Sequence, residues 1–204
     1  TRDWSSDVCS SDLGSCALYC GEQSSYNVAL GSEALKCATF GGSNVAVGNI
    51  SLKNTTTGYK NVAVGAESLY CNTTGKYNVA LGACSMRNNA TGVDNISMGH
   101  RSLQYSSGGY SNVGLGSWTL ANNTGDSNIA IGTNALYCNT ASGNVAIGAQ
   151  SLHYNTTGFK NVAIGYRSLC KNTTGTYNVG LGVNALCANT TGSYNVALGP
   201  QTLR

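Results

Sequence analysis

An Asn that opens an NVA-like segment returns along the chain at Asn27, Asn44, Asn61, Asn78, Asn95, Asn112, Asn128, Asn144, Asn161, Asn178 and Asn195. The intervals are 17 residues five times, 16 twice and 17 three times. One unit, written from Asn61, reads NVAVGAESLYCNTTGKY. A Gly stands four residues after each anchor, as at Gly65, Gly82, Gly165 and Gly182, and Gly14 holds the same place in an earlier unit. Four residues after that Gly comes Leu, from Leu18 to Leu203, with Met86 the one exception. Twelve units are represented, the first and last expected to be incomplete.

A period of seventeen is about half of what a helix-pair repeat needs. The Gly and the Asn-Thr-Thr-Gly punctuation within each unit would also break a helix. The pattern predicts an all-β chain, a parallel β-solenoid with one coil per repeat. In Asn61 to Gly65, strand alternation sends Val62 and Val64 to one face and Ala63 to the other. Val62, Val64 and Leu69 then count as the large apolar side chains a coil buries, with the Ala63 face left for lateral association. Gly65 turns the chain with φ above zero, where a Cβ would clash. A second short extended stretch is expected to carry Ser68 and Leu69, and Asn72-Thr73-Thr74-Gly75 returns the chain to the next anchor.

Coils stacked ~4.8 Å apart make a rod of roughly 60 Å from twelve repeats. Asn61, Asn78, Asn161, Asn178 and Asn195 then belong to one ladder, each amide donating to one neighbour and accepting from the other. The glycines Gly65, Gly82, Gly165 and Gly182 form a second column. With so few large apolar side chains per coil against the entropy of ordering seventeen residues, an oligomer is expected.

Residues 1 to 13 stand outside the repeat. Asp3 to Leu13, DWSSDVCSSDL, back-translates to what looks like a sequencing-library adapter, and the repeat begins at Gly14 immediately after it. The segment is read as non-native and the repeat domain as 14–204, truncated at both ends; a genuine capping segment is the alternative. Without it the chain has 191 residues, ten basic and five acidic side chains, a net charge of +5 and eight Cys.

Charged residues make up only 9% of the chain, and the net charge of +3 is too diffuse for a nucleic-acid binder. No apolar run reaches the ~18 residues of a membrane span, so no membrane insertion by this segment is expected. The acids Glu22, Glu33, Glu67, Asp94 and Asp126 are scattered singly, which supports neither paired-carboxylate catalysis nor a calcium-binding repeat. No nucleophile–base pattern and no zinc spacing appear, so no enzyme, cofactor or metal is expected. His100 and His153 fall three coils apart and are expected to be solvated.

The strings NVAVGAESL, NVAIGAQSL and NVAIGYRSL resemble the head repeat of YadA-type trimeric autotransporter adhesins, whose units read much like SVAIGxxSxA. The resemblance spans residues 14–204. It implies a left-handed parallel β-roll, a homotrimer, an extracellular position on a bacterial surface, and attachment to a host-cell glycan or protein. The longer unit with NTTG is also similar to repeats of phage and large-virus tail-fibre proteins, which implies a virion fibre. The chain departs from the adhesin pattern in its longer period and its many cysteines.

Several surface positions carry open alternatives. Tyr26, Tyr77, Tyr177 and Tyr194 precede anchor asparagines and either grip sugar rings or simply cover neighbouring coils. Cys20 with Cys37, and Cys170 with Cys187, are equivalents in adjacent coils, within disulfide range or free; free thiols suit assembly in a reducing cytosol. Asn54, Asn72, Asn155, Asn172 and Asn189 open glycosylation sequons that arise from the turn motif. The Thr pairs raise ice binding as the alternative function, although adjacent Thr residues cannot both face out from a strand.

Overall fold

The computed structural model describes residues 11–20 and 24–203. Its strands are β1 (Ser11–Leu13), β2 (Val28–Leu30), β3 (Val45–Val47), β4 (Val62–Val64), β5 (Val79–Leu81), β6 (Ile96–Met98), β7 (Val113–Leu115), β8 (Ile129–Ile131), β9 (Val145–Ile147), β10 (Val162–Ile164), β11 (Val179–Leu181) and β12 (Val196–Leu198). They form one twelve-stranded sheet in chain order. Pairing is parallel and in repeat register, as in Val62↔Val79, Ala63↔Ala80 and Val64↔Leu81. The chain is a β-solenoid, and no helix occurs among the described residues.

The two 16-residue intervals do not disturb the sheet, since Val113 pairs with Ile129 and Ile129 with Val145. The missing residue comes out of the Asn–Thr turn. Asn61 Nδ2 reaches the carbonyl of Gly75, 14 residues on, at 2.8 Å, whereas Asn128 Nδ2 reaches Ala141, 13 residues on, at 2.9 Å. Pairing begins before Gly14, because Ser11, Asp12 and Leu13 match Val28, Ala29 and Leu30. Backbone pairing of three extended residues needs no particular sequence, so it does not bear on where that segment came from. Residues 1–10 lie outside the described residues, Cys9 among them.

Strands β2 to β11 each follow a buried Asn whose polar groups are met, as at Asn61. The Asn61 N–H and Nδ2 both donate to Asn44 Oδ1, at 2.9 and 3.1 Å. Its own Oδ1 accepts the N–H and Nδ2 of Asn78, at 3.0 and 3.1 Å. With the bond to Gly75, both amide hydrogens and both lone pairs are used, which is how a side chain this polar sits at zero exposure. Each strand closes on a Gly. Gly65 has φ +131°, and a Cβ there would come within 2.6 Å of the Gly82 carbonyl carbon, so both conformation and space require Gly.

The facing of the strand is the reverse of the expectation. Ala63 is fully buried, while Val62 is half-buried and Val64 is exposed. The interior at that level holds only Ala, Gly or Ser, from Ala29 and Ala46 to Ser97, Gly114 and Ala163, packed on the Leu column of Leu35, Leu52 and Leu69. Leucine fills the coil from the opposite side, leaving room for nothing larger than a methyl or hydroxymethyl group across from it. Valine and isoleucine are therefore turned outward.

The second extended stretch is also not formed. Ser68 and Leu69 are consecutive and both fully buried, which strand alternation forbids. Gly65, Glu67 and Leu69 have φ +131°, +57° and +51°, so every second residue is left-handed and the segment is a continuous turn. Left-handed backbone costs a non-Gly residue about 1–2 kcal/mol. Burying a Leu returns about 1.5–3 kcal/mol, and the turn keeps its backbone bonded to the next coil, Leu69 N–H to Ser85 O at 3.0 Å.

A second Asn ladder, buried but for its last member, lies in the Asn-Thr-Thr-Gly turn. Asn139, Asn155, Asn172 and Asn189 each donate Nδ2 to Oδ1 of the preceding member, Asn123 being the first, at 2.8 to 2.9 Å. Each also donates to a carbonyl of its own turn, as Asn172 does to Gly175 at 2.9 Å. Thr55 and Ser106 stand where the ladder has Asn elsewhere, and the link between Asn72 Oδ1 and Asn89 Nδ2, which lie between them, is not formed, the Asn89 Oδ1 accepting the Gly92 N–H at 3.1 Å instead.

Candidate functional site

The outward valines and isoleucines form one stripe down the rod. Eleven strands, β2 to β12, each supply two side chains to it, Val62 and Val64 in β4, Ile129 and Ile131 in β8, Val162 and Ile164 in β10. Equivalents pack directly above and below, so only the outer surface of each is open; Val64 still shows 38% and Ile164 41% of its area. The stripe carries no charged or polar side chain from Val28 to Leu198. Its length is about 48 Å at the parallel-strand spacing. An apolar patch of this extent exceeds what an isolated soluble surface ordinarily shows and marks an interaction face.

The tyrosines are divided among separate places. Tyr177 stacks on Tyr194, ring centroids 5.1 Å apart and 5° from parallel, and meets Phe159 edge-on at 5.3 Å. Tyr77 meets Tyr59 edge-on at the same 5.3 Å, six coils away, and Tyr26 is exposed near the other end. Lys60 and Lys160 lie over Tyr77 and Tyr177 at 5.4 Å each, so one aromatic–lysine arrangement occurs twice. Tyr77, Tyr177 and Tyr194 thus pack on rings of adjacent coils.

His100 is exposed, as expected, but His153 is not fully solvated, and the two are not separate. Trp118 and Tyr137 connect them in a chain of ring contacts, and His153 is half-buried with Nδ1 3.0 Å from the Asn134 carbonyl oxygen. Nothing in the repeat pattern signalled this cluster, because its rings come from different repeat positions.

The eight described cysteines are free. Cys170 and Cys187 bring their Sγ atoms to 3.6 Å, and burial, with the neighbouring thiol, pushes the Cys170 thiol up. Among the described residues no group of three His, Cys, Asp or Glu side chains can hold a metal ion. Asn72, Asn155 and Asn172 are fully buried with their amides bonded inside the turn, so a glycan has no access to these sequons. The inner Thr hydroxyls are spent on the next coil, Thr56 on Thr73 O at 3.2 Å and Thr173 on Thr190 O at 3.0 Å. The outer Thr residues come in two rows of three, Thr57, Thr74, Thr91 and Thr157, Thr174, Thr191, separated by Gly108 and the two shortened turns. No continuous Thr face forms for ice.

Fold and surface together define a parallel β-solenoid with a polar-laddered interior and an apolar outer stripe. No family model, curated protein or solved structure matches the chain.

Proposed function

We propose that the chain is a structural and adhesive fibre segment, an adhesin head or tail-fibre shaft, whose solenoids associate as a homotrimer through the valine–isoleucine stripe and attach to a host cell or surface. The observation that supports this reading is the stripe itself. Its side chains repeat at the coil spacing over the whole sheet, and a second copy of the same chain is the surface that matches it rung for rung. Covering it removes from water the residues that the narrow interior excludes. Repeated coils on several chains then present weak sites at fixed intervals, so avidity exceeds any single contact. Such a fibre works outside the cell, on a bacterial surface or a virion, and needs no catalytic group.

Sedimentation equilibrium tests the assembly. The wild-type chain is expected to run as a trimer, and the double variant Val64→Lys, Ile164→Lys as a folded monomer, since both side chains point outward. A wild-type monomer at micromolar concentration overturns the reading. Attachment of the labelled trimer to cells, absent for the monomeric variant, tests the adhesive part.

A further inference from the structure

Five rings form an unbroken chain of contacts on the face that follows the glycine turn. His100 meets Trp118 at 6.2 Å, Trp118 meets Tyr137 at 6.1 Å, Tyr137 stacks on His153 at 5.3 Å and 18°, and His153 meets Tyr154 at 4.5 Å. The Arg101 guanidinium lies 4.7 Å from the centre of the Trp118 ring, and its Nε is buried without a hydrogen-bond partner. A carbonyl only accepts, so the contact with Asn134 O puts the His153 hydrogen on Nδ1 and leaves Nε2 as the free nitrogen. Among the described residues the cluster occurs once. Side chains the fold requires recur in nearly every coil, as the Leu column does, so this one is not explained by coil stacking.

Charge on the same face changes along the rod. In the earlier coils its cations are matched: Glu33 pairs with Lys36 and Lys53, and Glu67 with Arg87. Beyond Asp94 the described part of this face carries Arg101, Arg167 and Lys171, while Lys160 lies elsewhere over Tyr177, and the stretch holds the single acid Asp126. That carboxylate is engaged elsewhere, accepting the Tyr110 N–H at 2.9 Å. Arg101 and Arg167 form no ion pair among the described residues, and the Nε of Arg167, like that of Arg101, has no hydrogen-bond partner.

We infer that this aromatic and cationic face binds an acidic polysaccharide, with Trp118, Tyr137 and Tyr154 stacking on sugar rings and Arg101 taking a carboxylate. The inference rests on the attachment reading and gives its ligand a chemical class. Coils rising ~4.8 Å apart offer ring contacts at a pitch comparable to one sugar residue of an extended polymer. Neutral hydrogen-bonding side chains, Asn122, Asn134 and Gln150, stand at neighbouring places on the face and suit hydroxyl groups. A nucleic-acid strand instead calls for a run of cations tracking phosphates, and here a single arginine joins the rings.

Affinity electrophoresis of the full chain tests this, with polygalacturonate as the probe and dextran and oligothymidylate alongside. Retention by polygalacturonate is expected, weakened at least about tenfold, or 1.4 kcal/mol, in each of Arg101→Gln and Tyr154→Ser. Tyr154 is 54% exposed, so its removal leaves the interior intact, which circular dichroism checks. No retention by polygalacturonate, equal retention by dextran, tighter retention by oligothymidylate, or undiminished binding by both variants overturns the inference. Sedimentation reads the assembly separately: a trimer without polysaccharide binding sinks this inference alone, and a monomer that binds sinks the trimeric reading alone.

Discussion

Asn61 shows how much one position carries: it begins a strand, fixes its register to two neighbours and holds the following turn in place by donating to the Gly75 carbonyl. Asn61→Asp keeps the shape and the acceptor but loses both amide hydrogens and sets a carboxylate against carbonyl oxygens. Urea unfolding is expected to show a loss of about 2–4 kcal/mol, the cost of leaving buried acceptors unmet. At the surface the stakes are smaller. The ammonium groups of Lys36 and Lys53, at 2.8 and 2.6 Å, hold the Glu33 carboxyl down at about 2. A value lowered by folding stabilises the folded state above the ordinary carboxylate range, and that contribution disappears as pH falls toward about 2. The melting temperature of Glu33→Gln should therefore lie slightly below wild type near neutral pH, converge with it in acid, and converge also in molar salt.

Within the coil, the strand and its two flanking turns were unequally legible. The Asn anchor, the Gly turn and the parallel stacking follow from spacing and from the chemistry of those two residues, and the structure has them all. The inward face does not follow from alternation alone, which separates two faces without saying which is inside. The signal was in size: the middle strand residue is Ala, Gly or Ser throughout β2 to β12, while its neighbours range over Val, Ile, Leu and Met. A site that never exceeds a methyl or hydroxymethyl group is a cramped interior. The left-handed Leu column was not legible, because Leu has no preference for that conformation and accepts it here only for burial. The second Asn ladder was hidden because Asn in an Asn-Thr-Thr-Gly string is an ordinary turn residue. Its gaps give a prediction: Ser106→Asn restores a donor and an acceptor between Asn89 and Asn123, and should raise stability by about 1 kcal/mol, measured as the shift in urea midpoint.

Along the whole molecule each coil touches only the coil before and the coil after, so stability is set by nearest-neighbour terms. No long-range packing between distant coils among the described residues reinforces them. Association through the outer stripe would supply that reinforcement, and it links folding to concentration: the melting temperature should rise with protein concentration for the wild type and stay fixed for the Val64→Lys, Ile164→Lys variant. The cluster from His100 to Tyr154 belongs to this scale as well, since residues from several coils meet only once the coils are stacked, and a single repeat read alone contains no hint of it.

The anchor ladder also has a direction. In every link resolved from Asn44 to Asn195, the later Asn gives its hydrogens to the Oδ1 of the earlier one. A finished coil thus ends with a bare acceptor facing the part of the chain still to fold, and the next coil arrives carrying the matching donors. A chain emerging N-terminus first therefore meets a template already set, one coil at a time.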